Sequence, residues 1–217
     1  MNIDIEAARH AMIEQQIRPW EVLDPRVLDA LAAVPREEFV PARYRKLAFA
    51  DLSIPLEHGQ CMLKPVLEGR LLHSLELDPR ESVLEIGTGS GFFAACLARL
   101  ARAVTSLDIH ADFGQRAASR CSALGYGNIE FTHADALDFR PSRSFDAICV
   151  TAAVADRPER FLDWLRPGGR LVIVQGLSPA QEAIRLTRSE HGCQRESLFD
   201  TDIPYLHGAE PKPLFSL

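Results

Sequence analysis

The chain has 217 residues, of which 47% are hydrophobic and 25% charged, and its formal net charge is -6. This length and composition are typical of a soluble globular protein that is large enough for one domain with a full core. The acidic balance gives no support to a nucleic-acid partner, and no apolar run approaches the ~18 residues that a membrane helix needs, so we expect neither partner.

The first 80 residues are predicted to form helices and loops. Residues 4–18 place apolar side chains at helical spacing, and Asp24 followed by Pro25 forms a helix start with the aspartate as N-cap. Pro65 begins a further helix that runs to about Leu77. Irregular structure is predicted between the prolines at 35 and 41 and, with short extended pieces, over 51–64.

The second half predicts strands alternating with helices. The short, β-branched strands indicate a doubly wound, mostly parallel α/β sheet with an N-terminal helical cap. Near the end, Gln181–Ser189 and Gln194–Asp202 flank His191-Gly192 and predict an antiparallel hairpin. The predicted strands are 82–86, 103–108, 128–133, 145–150 and 170–175, and the predicted helices are 91–101, 112–124 and about 157–165.

Neither the N-terminus nor the cysteines suggest export, a disulfide or a metal site. The N-terminus, Met1–Glu6, is acidic and has no apolar signal core, which predicts a cytoplasmic protein. The five cysteines include no CxxC pair, and the seven histidines show no HxxxH or HExxH spacing. Cys96 and Cys149 lie in apolar runs and are predicted to be buried thiols.

The segment Val83–Gly91 joins an apolar strand and an acidic residue to three glycines at alternate positions. With the small and apolar residues that follow, it has the order of a nucleotide-binding unit, namely strand, tight turn and helix. A dinucleotide fold expects G-x-G-x-x-G, but Phe92 occupies the place of the third glycine here. The spacing therefore favours a ligand without a pyrophosphate and argues against a dehydrogenase, whose Tyr-x-x-x-Lys pair this sequence also lacks.

Three acidic residues accompany the glycines. Asp108 ends the second strand and could accept hydrogen bonds from the ribose hydroxyls of an adenosine, or it could be a solvated carboxylate that caps the next helix. Asp135 follows the third strand and could accept from the adenine amine, or it could be a turn or N-cap residue. Glu85 could face a cation or hold the turn by accepting backbone N–H groups.

Together these features resemble the motif series of class I S-adenosylmethionine-dependent methyltransferases over roughly residues 80 to 176, including the Pro-Gly-Gly turn at 167–169. The resemblance implies a Rossmann-like fold and S-adenosyl-L-methionine as cofactor. The residues that it implies for cofactor binding are Glu85, Gly87, Thr88, Gly89, Gly91, Asp108, Ile109, Asp135, Ala136 and Thr151.

The N-terminal half narrows the resemblance to one family. Met12–Arg18, Asp24–Leu28 and Val34–Pro41 resemble protein-L-isoaspartate O-methyltransferases, and so do Gly59-Gln60 and Pro65. The resemblance implies a carboxyl O-methyltransferase that acts on proteins or peptides carrying isoaspartate and starts their repair through a cyclic imide. It also implies one domain over 1–217, made of a helical cap with the substrate loop (1–80), a cofactor-binding core (81–176) and a C-terminal hairpin (177–217).

One departure from the family concerns the acceptor. The family's Thr-Ile-Ser is Cys61-Met62-Leu63 here, so Leu63 stands at the position of the active-site serine and cannot donate a hydrogen bond. No catalytic residue is assigned; Gln60 and Lys64 are the nearby candidates, although Lys64 could equally be a solvated lysine. Cys61 is predicted to be a small filler rather than a nucleophile.

Three functions stay open on the sequence. The first is isoaspartyl methylation, the second is methylation of a small molecule or another protein group, for which Leu63 is the reason, and the third is cofactor binding without catalysis. The segment Ile203–Leu206 stands roughly where the family has a Phe-Val-Pro-Leu-like segment near the substrate, and we expect it to shape the acceptor pocket.

Overall fold

The N-terminal region consists of helices and one short hairpin. The computed structural model describes residues 4–156, 159–189 and 192–212. Helix α1 (Ile5–Ala11) continues as a π-helical turn over Met12–Ile17 and a 3-10 turn over Arg18–Trp20. The predicted cap is confirmed, because the Asp24 carboxylate accepts a hydrogen bond from the N–H of Arg26. The other elements here are α2 (Pro25–Ala33), α3 (Arg36–Phe39), a 3-10 helix (Ala42–Leu47), β1 (Ile54–Pro55), β2 (Cys61–Met62) and α4 (Pro65–Ser74).

A seven-stranded sheet forms the rest, in the order β5-β4-β3-β6-β7-β8-β9. The neighbours from β5 to β7 are parallel, and β8 and β9 are antiparallel additions at one edge. This confirms the predicted fold class and the C-terminal hairpin. The strands are β3 (Ser82–Ile86), β4 (Ala103–Asp108), β5 (Ile129–His133), β6 (Phe145–Val154), β7 (Leu165–Leu177), β8 (Ala180–Ser189) and β9 (Gly192–Thr201), and the helices are α5 (Phe92–Leu100), α6 (Ala111–Ala123) and α7 (Glu159–Leu162).

Several predicted boundaries are wrong. The segment predicted as irregular between the two prolines contains α3, and α4 ends three residues before Leu77. The helix expected over 157–165 is shorter because Leu165 already pairs with Phe145 of β6. Strand β7 is longer than expected because β8 folds back and pairs along it as far as Leu177. Residues 157 and 158 and the expected hairpin turn at His191 lie outside the described residues.

The core lies on both faces of the sheet. Val83, Val104 and Val172 belong to the cluster that includes the N-terminal helices and α5, whereas Leu84 and Ile148 belong to the cluster on the opposite face. These strands bury both faces, as parallel strands covered by helices do. Since β3 is flanked by β4 on one side and β6 on the other, the carboxyl ends of these three strands form the switch point at which ligands of such sheets bind.

Candidate active site

A cavity, here called the main cavity, opens at the carboxyl ends of β3, β4 and β6. It brings together residues that are far apart in the sequence, from the glycine turn, the end of β4 and the turn after β5. Of the predicted site residues, those on its wall are Gln60, Gly87, Gly89, Asp108, Ile109, Asp135, Ala136 and Thr151.

The first and last glycines of the turn have different neighbours. Gly87 has φ +105°, and a Cβ placed on it would lie 2.3 Å from the Oγ1 of Thr151, whose hydroxyl donates to the carbonyls of Ile86 and Gly87. Gly91 has φ +86°, and its Cβ would lie 2.7 Å from the Cβ of Ala117 on α6. Gly87 thus shapes the main cavity, whereas Gly91 lets α6 pack closely against the turn.

Asp108 ties the glycine turn to the end of β4. Its Oδ2 accepts a hydrogen bond from the N–H of Gly89 at 3.0 Å, and its Oδ1 accepts from the N–H of His110 at 2.8 Å. The side chain is buried yet lies on the wall of the main cavity, so it is not the solvated helix cap that the sequence left open. The carboxylate both fixes the turn and faces any ligand in the cavity.

Glu85 lies behind the turn rather than on the wall of the main cavity. It is fully buried, and its Oε2 accepts from the Ser106 hydroxyl, which is also hydrogen-bonded to Thr88 at 2.6 Å. Its other oxygen, Oε1, is buried with no hydrogen-bond partner among the described residues. Glu85 does not hold the turn at Gly89, since Asp108 accepts that N–H. Burial raises the pKa of Glu85 to about 8, with the nearby charges of Asp108 and Glu68 adding to the effect.

Asp135 holds a turn and also lies on the wall of the main cavity. Its Oδ1 accepts from the N–H of Leu137 at 2.8 Å, which is a turn interaction, and the residue also lines the main cavity beside Ala136. The turn therefore holds a carboxylate in place at the cavity wall.

The C-terminal segment closes one side of the main cavity. Leu206 donates its N–H to the carbonyl of Ala153 at 2.7 Å, and Ala153 donates to the carbonyl of Pro204 at 2.9 Å. These bonds hold Tyr205, Leu206 and His207 on the cavity wall. Other wall residues, which were not predicted from the sequence, include Cys61, His110 and Phe113. His110 and Phe113 lie at the start of α6, shortly after Asp108 in the chain, and this proximity could have indicated them.

A second, smaller cavity, here called the small cavity, adjoins the glycine turn on the side of β2 and α4. Leu63 is buried on its wall together with Glu68 and Phe93. Gly87, Gly89 and Thr151 border both cavities, so the two spaces meet at the turn. Lys64, the N-cap residue of α4, is on the wall of neither cavity, whereas Thr88 borders the small one.

A buried ion pair supports the loop that carries Leu63. The Arg36 guanidinium donates to the Glu68 carboxylate, to the carbonyl of Leu63 at 2.7 Å and to the carbonyl of Ala48 at 2.8 Å. It also lies 4.7 Å from the ring centroid of Phe92, the first residue of α5. This pair could not be predicted from the sequence, because neighbouring charges such as Arg36 and Glu37 usually indicate a solvated face.

Within residues 4–156, 159–189 and 192–212, no three His, Cys, Asp or Glu side chains are grouped as a metal site would require. The same ranges contain no helix that is long and apolar enough to cross a bilayer. Cys96 and Cys149 are buried as predicted.

Comparison with known proteins identifies the family. The family model described as Protein-L-isoaspartate(D-aspartate) O-methyltransferase matches residues 7–201. A protein-L-isoaspartate O-methyltransferase of Koribacter versatilis (strain Ellin345) is 40% identical over 194 residues, which cover 88% of this chain and 87% of the relative. One from Rhodopseudomonas palustris (strain ATCC BAA-98 / CGA009) is 40% identical over 202 residues, covering 92% and 93%.

A solved structure shares the fold over nearly the whole chain. It is a Plasmodium falciparum protein-L-isoaspartate O-methyltransferase in complex with S-adenosyl-L-homocysteine, with a TM-score of 0.80, 19% identity and coverage of 94% of this chain and 99% of that one. At this identity the likeness concerns the fold alone, and the family model and the relatives carry the assignment. The chain belongs to the protein-L-isoaspartate(D-aspartate) O-methyltransferase family.

Proposed function

We propose that this chain is an S-adenosylmethionine-dependent carboxyl O-methyltransferase that methylates isoaspartyl residues of damaged proteins and so starts their repair. The observation that carries this function is the family match over residues 7–201. The arrangement of the site supports it, because the main cavity and the small cavity meet at the glycine turn, and the second of them contains the position of the family's active-site serine.

The residues of the main cavity fit S-adenosylmethionine. Gly87 lies on the cavity wall, and its lack of a Cβ lets the Thr151 hydroxyl pack against the turn there. Each oxygen of Asp108 accepts one backbone N–H, and a carboxylate oxygen has a second acceptor position, which we assign to the ribose hydroxyls. We assign Asp135 to the adenine amine, and we keep Glu85 in the proposed set because its Oε1, behind the turn, has no hydrogen-bond partner among the described residues. The remaining proposed binding residues are Thr88, Gly89, Gly91, Ile109, Ala136 and Thr151.

The chain contributes alignment and exclusion of water rather than a strong base. When bound, S-adenosylmethionine supplies an electrophilic methyl group, which a carboxylate oxygen takes up as the carbon–sulfur bond breaks and the electron pair stays on sulfur. The acceptor carboxylate is already ionised at neutral pH, so no proton needs to be removed. The buried walls of the small cavity hold the acceptor out of water, and the Arg36 bonds fix the loop that forms this wall.

Transfer of labelled methyl groups to matched peptides tests the proposal. Isoaspartyl and aspartyl peptides of one sequence are incubated with the purified protein and labelled S-adenosylmethionine. Base-labile label on the isoaspartyl peptide alone is the expected result. Cofactor binding without transfer to that peptide would contradict it.

Leu63 favours one alternative, which is that the same cofactor serves a different acceptor. Loss of one hydrogen-bond donor costs a buried carboxylate about 1 to 3 kcal/mol of stabilisation, which slows methyl transfer without preventing it. If the acceptor has changed, the wild-type protein will not label the isoaspartyl peptide, whereas Leu63→Ser will gain that activity. Label on the peptide with the wild-type protein argues against this alternative.

We also propose that residues 1–217 form one domain, as predicted. In its support, one core cluster includes Met12 and Leu31 from the N-terminal helices together with Val83 and Val104 from the sheet. The cytoplasmic location stays a prediction.

A further inference from the structure

At the position where the family has a hydroxyl beside the acceptor, the small cavity has the apolar side chain of Leu63. Leu63 has no donor, and the other residues of this chain must satisfy the carboxylate of an isoaspartyl residue that enters the cavity. An unpaired carboxylate out of water is costly, so a substitute donor is needed.

We propose that Glu68, in its protonated form, donates to the acceptor carboxylate the hydrogen bond that Leu63 cannot make. This inference rests on the proposed function, isoaspartyl methylation. It makes Glu68 an acceptor-binding residue of the site.

The position of Glu68 carries the argument. It lies in the first turn of α4 and lines the small cavity together with Leu63, Ser90 and Thr151. Its side chain is 3% exposed, so bulk water does not satisfy its carboxyl group. Arg36 donates to Oε2, which leaves Oε1 to carry a proton.

Entry of the acceptor carboxylate into the same cavity favours the protonated form of Glu68. Two carboxylates that share a site in low dielectric cannot both stay ionised cheaply, and they hold one proton between them. Burial raises the pKa of Glu68 to about 7 even with the Arg36 guanidinium beside it. The proton is therefore available near neutral pH before the acceptor arrives.

Apart from Arg36, the titratable groups around Glu68 are acids. Glu85 on β3 is a second buried carboxylate, and Glu68 itself helps to raise the pKa of Glu85. Burial and the charge of Glu68 raise the pKa values of Cys61 on β2 and Cys96 on α5, which keeps both thiols neutral. Arg36 on α3 is the one positive group among these neighbours.

The pH dependence of isoaspartyl methylation tests the inference. Since kcat/KM reports the free enzyme, the wild-type value should fall about fivefold or more from about pH 6 to about pH 9 as Glu68 loses its proton. Glu68→Gln keeps an oxygen for Arg36 and presents an N–H donor at every pH, so its kcat/KM should not show this fall.

Two further variants keep the test decisive. Leu63→Ser leaves the Arg36–Glu68 pair intact and restores a hydroxyl, so its profile should be flat even if Glu68→Gln does not fold. Glu81→Gln is the matched control, because Glu81 directly precedes β3, at the end of that strand opposite the glycine turn, and the change weakens another Arg–carboxylate pair, with Arg170 of β7. Glu81→Gln should keep the wild-type fall.

A flat wild-type profile would overturn the inference, as would a fall that persists in Glu68→Gln and Leu63→Ser, or a fall that Glu81→Gln also abolishes. The proposed function fails differently. If the wild-type protein does not label the isoaspartyl peptide at any pH, isoaspartyl methylation itself is wrong for this chain. If the wild-type protein does label the peptide, the pH profiles test only the role of Glu68.

Discussion

Gly87 is the residue at which the turn has least room for a side chain. Gly87→Ala would bring a Cβ to 2.3 Å from the Thr151 hydroxyl in a backbone with φ +105°. We expect it to lower the free energy of unfolding by about 3 kcal/mol or more, from strain and steric overlap together. Gly125→Ala is the control, since Gly125 has φ +84° but open space around it, and should cost only about 1 kcal/mol. Equal losses in urea unfolding would show that the Thr151 contact has no effect.

Asp108 should determine cofactor affinity more than any other side chain of the main cavity. Asp108→Asn removes the charge and one acceptor oxygen, so either the Gly89 N–H or the His110 N–H loses its acceptor, together with any ribose hydroxyl that the same oxygen would bind. Loss of a charge-assisted hydrogen bond corresponds to an increase of about tenfold or more in the dissociation constant of S-adenosylhomocysteine. Titration calorimetry measures it, with the exposed Asp29→Asn on α2 as the control. An unchanged constant would remove Asp108 from the proposed binding set.

The residues that could be predicted from the sequence are those whose chemistry is local. Gly87 and Asp108 lie beside a strand end, and a strand end in a parallel sheet has a known position. Arg36 and Glu68 could not be predicted, because they are 32 positions apart and charged residues are usually exposed. Tyr205 belongs to the segment that the resemblance places near the substrate, but backbone pairing with β6 puts it on the wall of the main cavity rather than of the small one.

At the scale of elements, the N-cap of α2 gives a measurable contribution. The Asp24 carboxylate accepts from the Arg26 N–H, and hydrogen bonds from Arg26 lower its pKa. Asp24→Ala should therefore lower the free energy of unfolding by about 1 kcal/mol at neutral pH. A group with a lowered folded pKa stabilises above its unfolded pKa, here 3.8, and this stabilisation is lost as the pH falls through the folded value.

Urea unfolding at neutral pH and at about pH 2.5 checks this, because the difference between wild type and Asp24→Ala should shrink at the lower pH. A difference that stays the same at both pH values would contradict an ionised cap.

Strand positions were easier to predict than element ends. Strands β3 and β4 match their predicted bounds, since short β-branched runs buried on both faces have a distinct pattern. The π-helical turn over Met12–Ile17 was predicted as ordinary helix, because the apolar spacing of the two is similar over one turn. The extra length of β7 depends on antiparallel pairing with β8, which folds back along it.

At the scale of the whole molecule, two buried carboxylates should make stability depend on pH. Burial raises the pKa of Glu85 from 4.5 to about 8, so the folded state holds its proton more tightly than the unfolded chain does. The free energy of unfolding should therefore fall as the pH rises from about 4.5 to about 8. Glu85→Gln should make this fall shallower, with Glu68 accounting for part of what remains, whereas the exposed Glu130→Gln should leave it unchanged. If the free energy of unfolding of Glu85→Gln falls with pH as steeply as that of the wild type, the raised pKa of Glu85 is contradicted.

The central claim is that this chain transfers a methyl group to isoaspartate. The most direct measurement is a mass-spectrometric time course of an isoaspartyl peptide with S-adenosylmethionine and the wild-type protein, beside the aspartyl peptide of the same sequence. The account predicts a transient species one methyl group heavier, then the cyclic imide, then a mixture of aspartyl and isoaspartyl peptide, all from the isoaspartyl peptide alone. An unmodified isoaspartyl peptide in the presence of bound cofactor would contradict it.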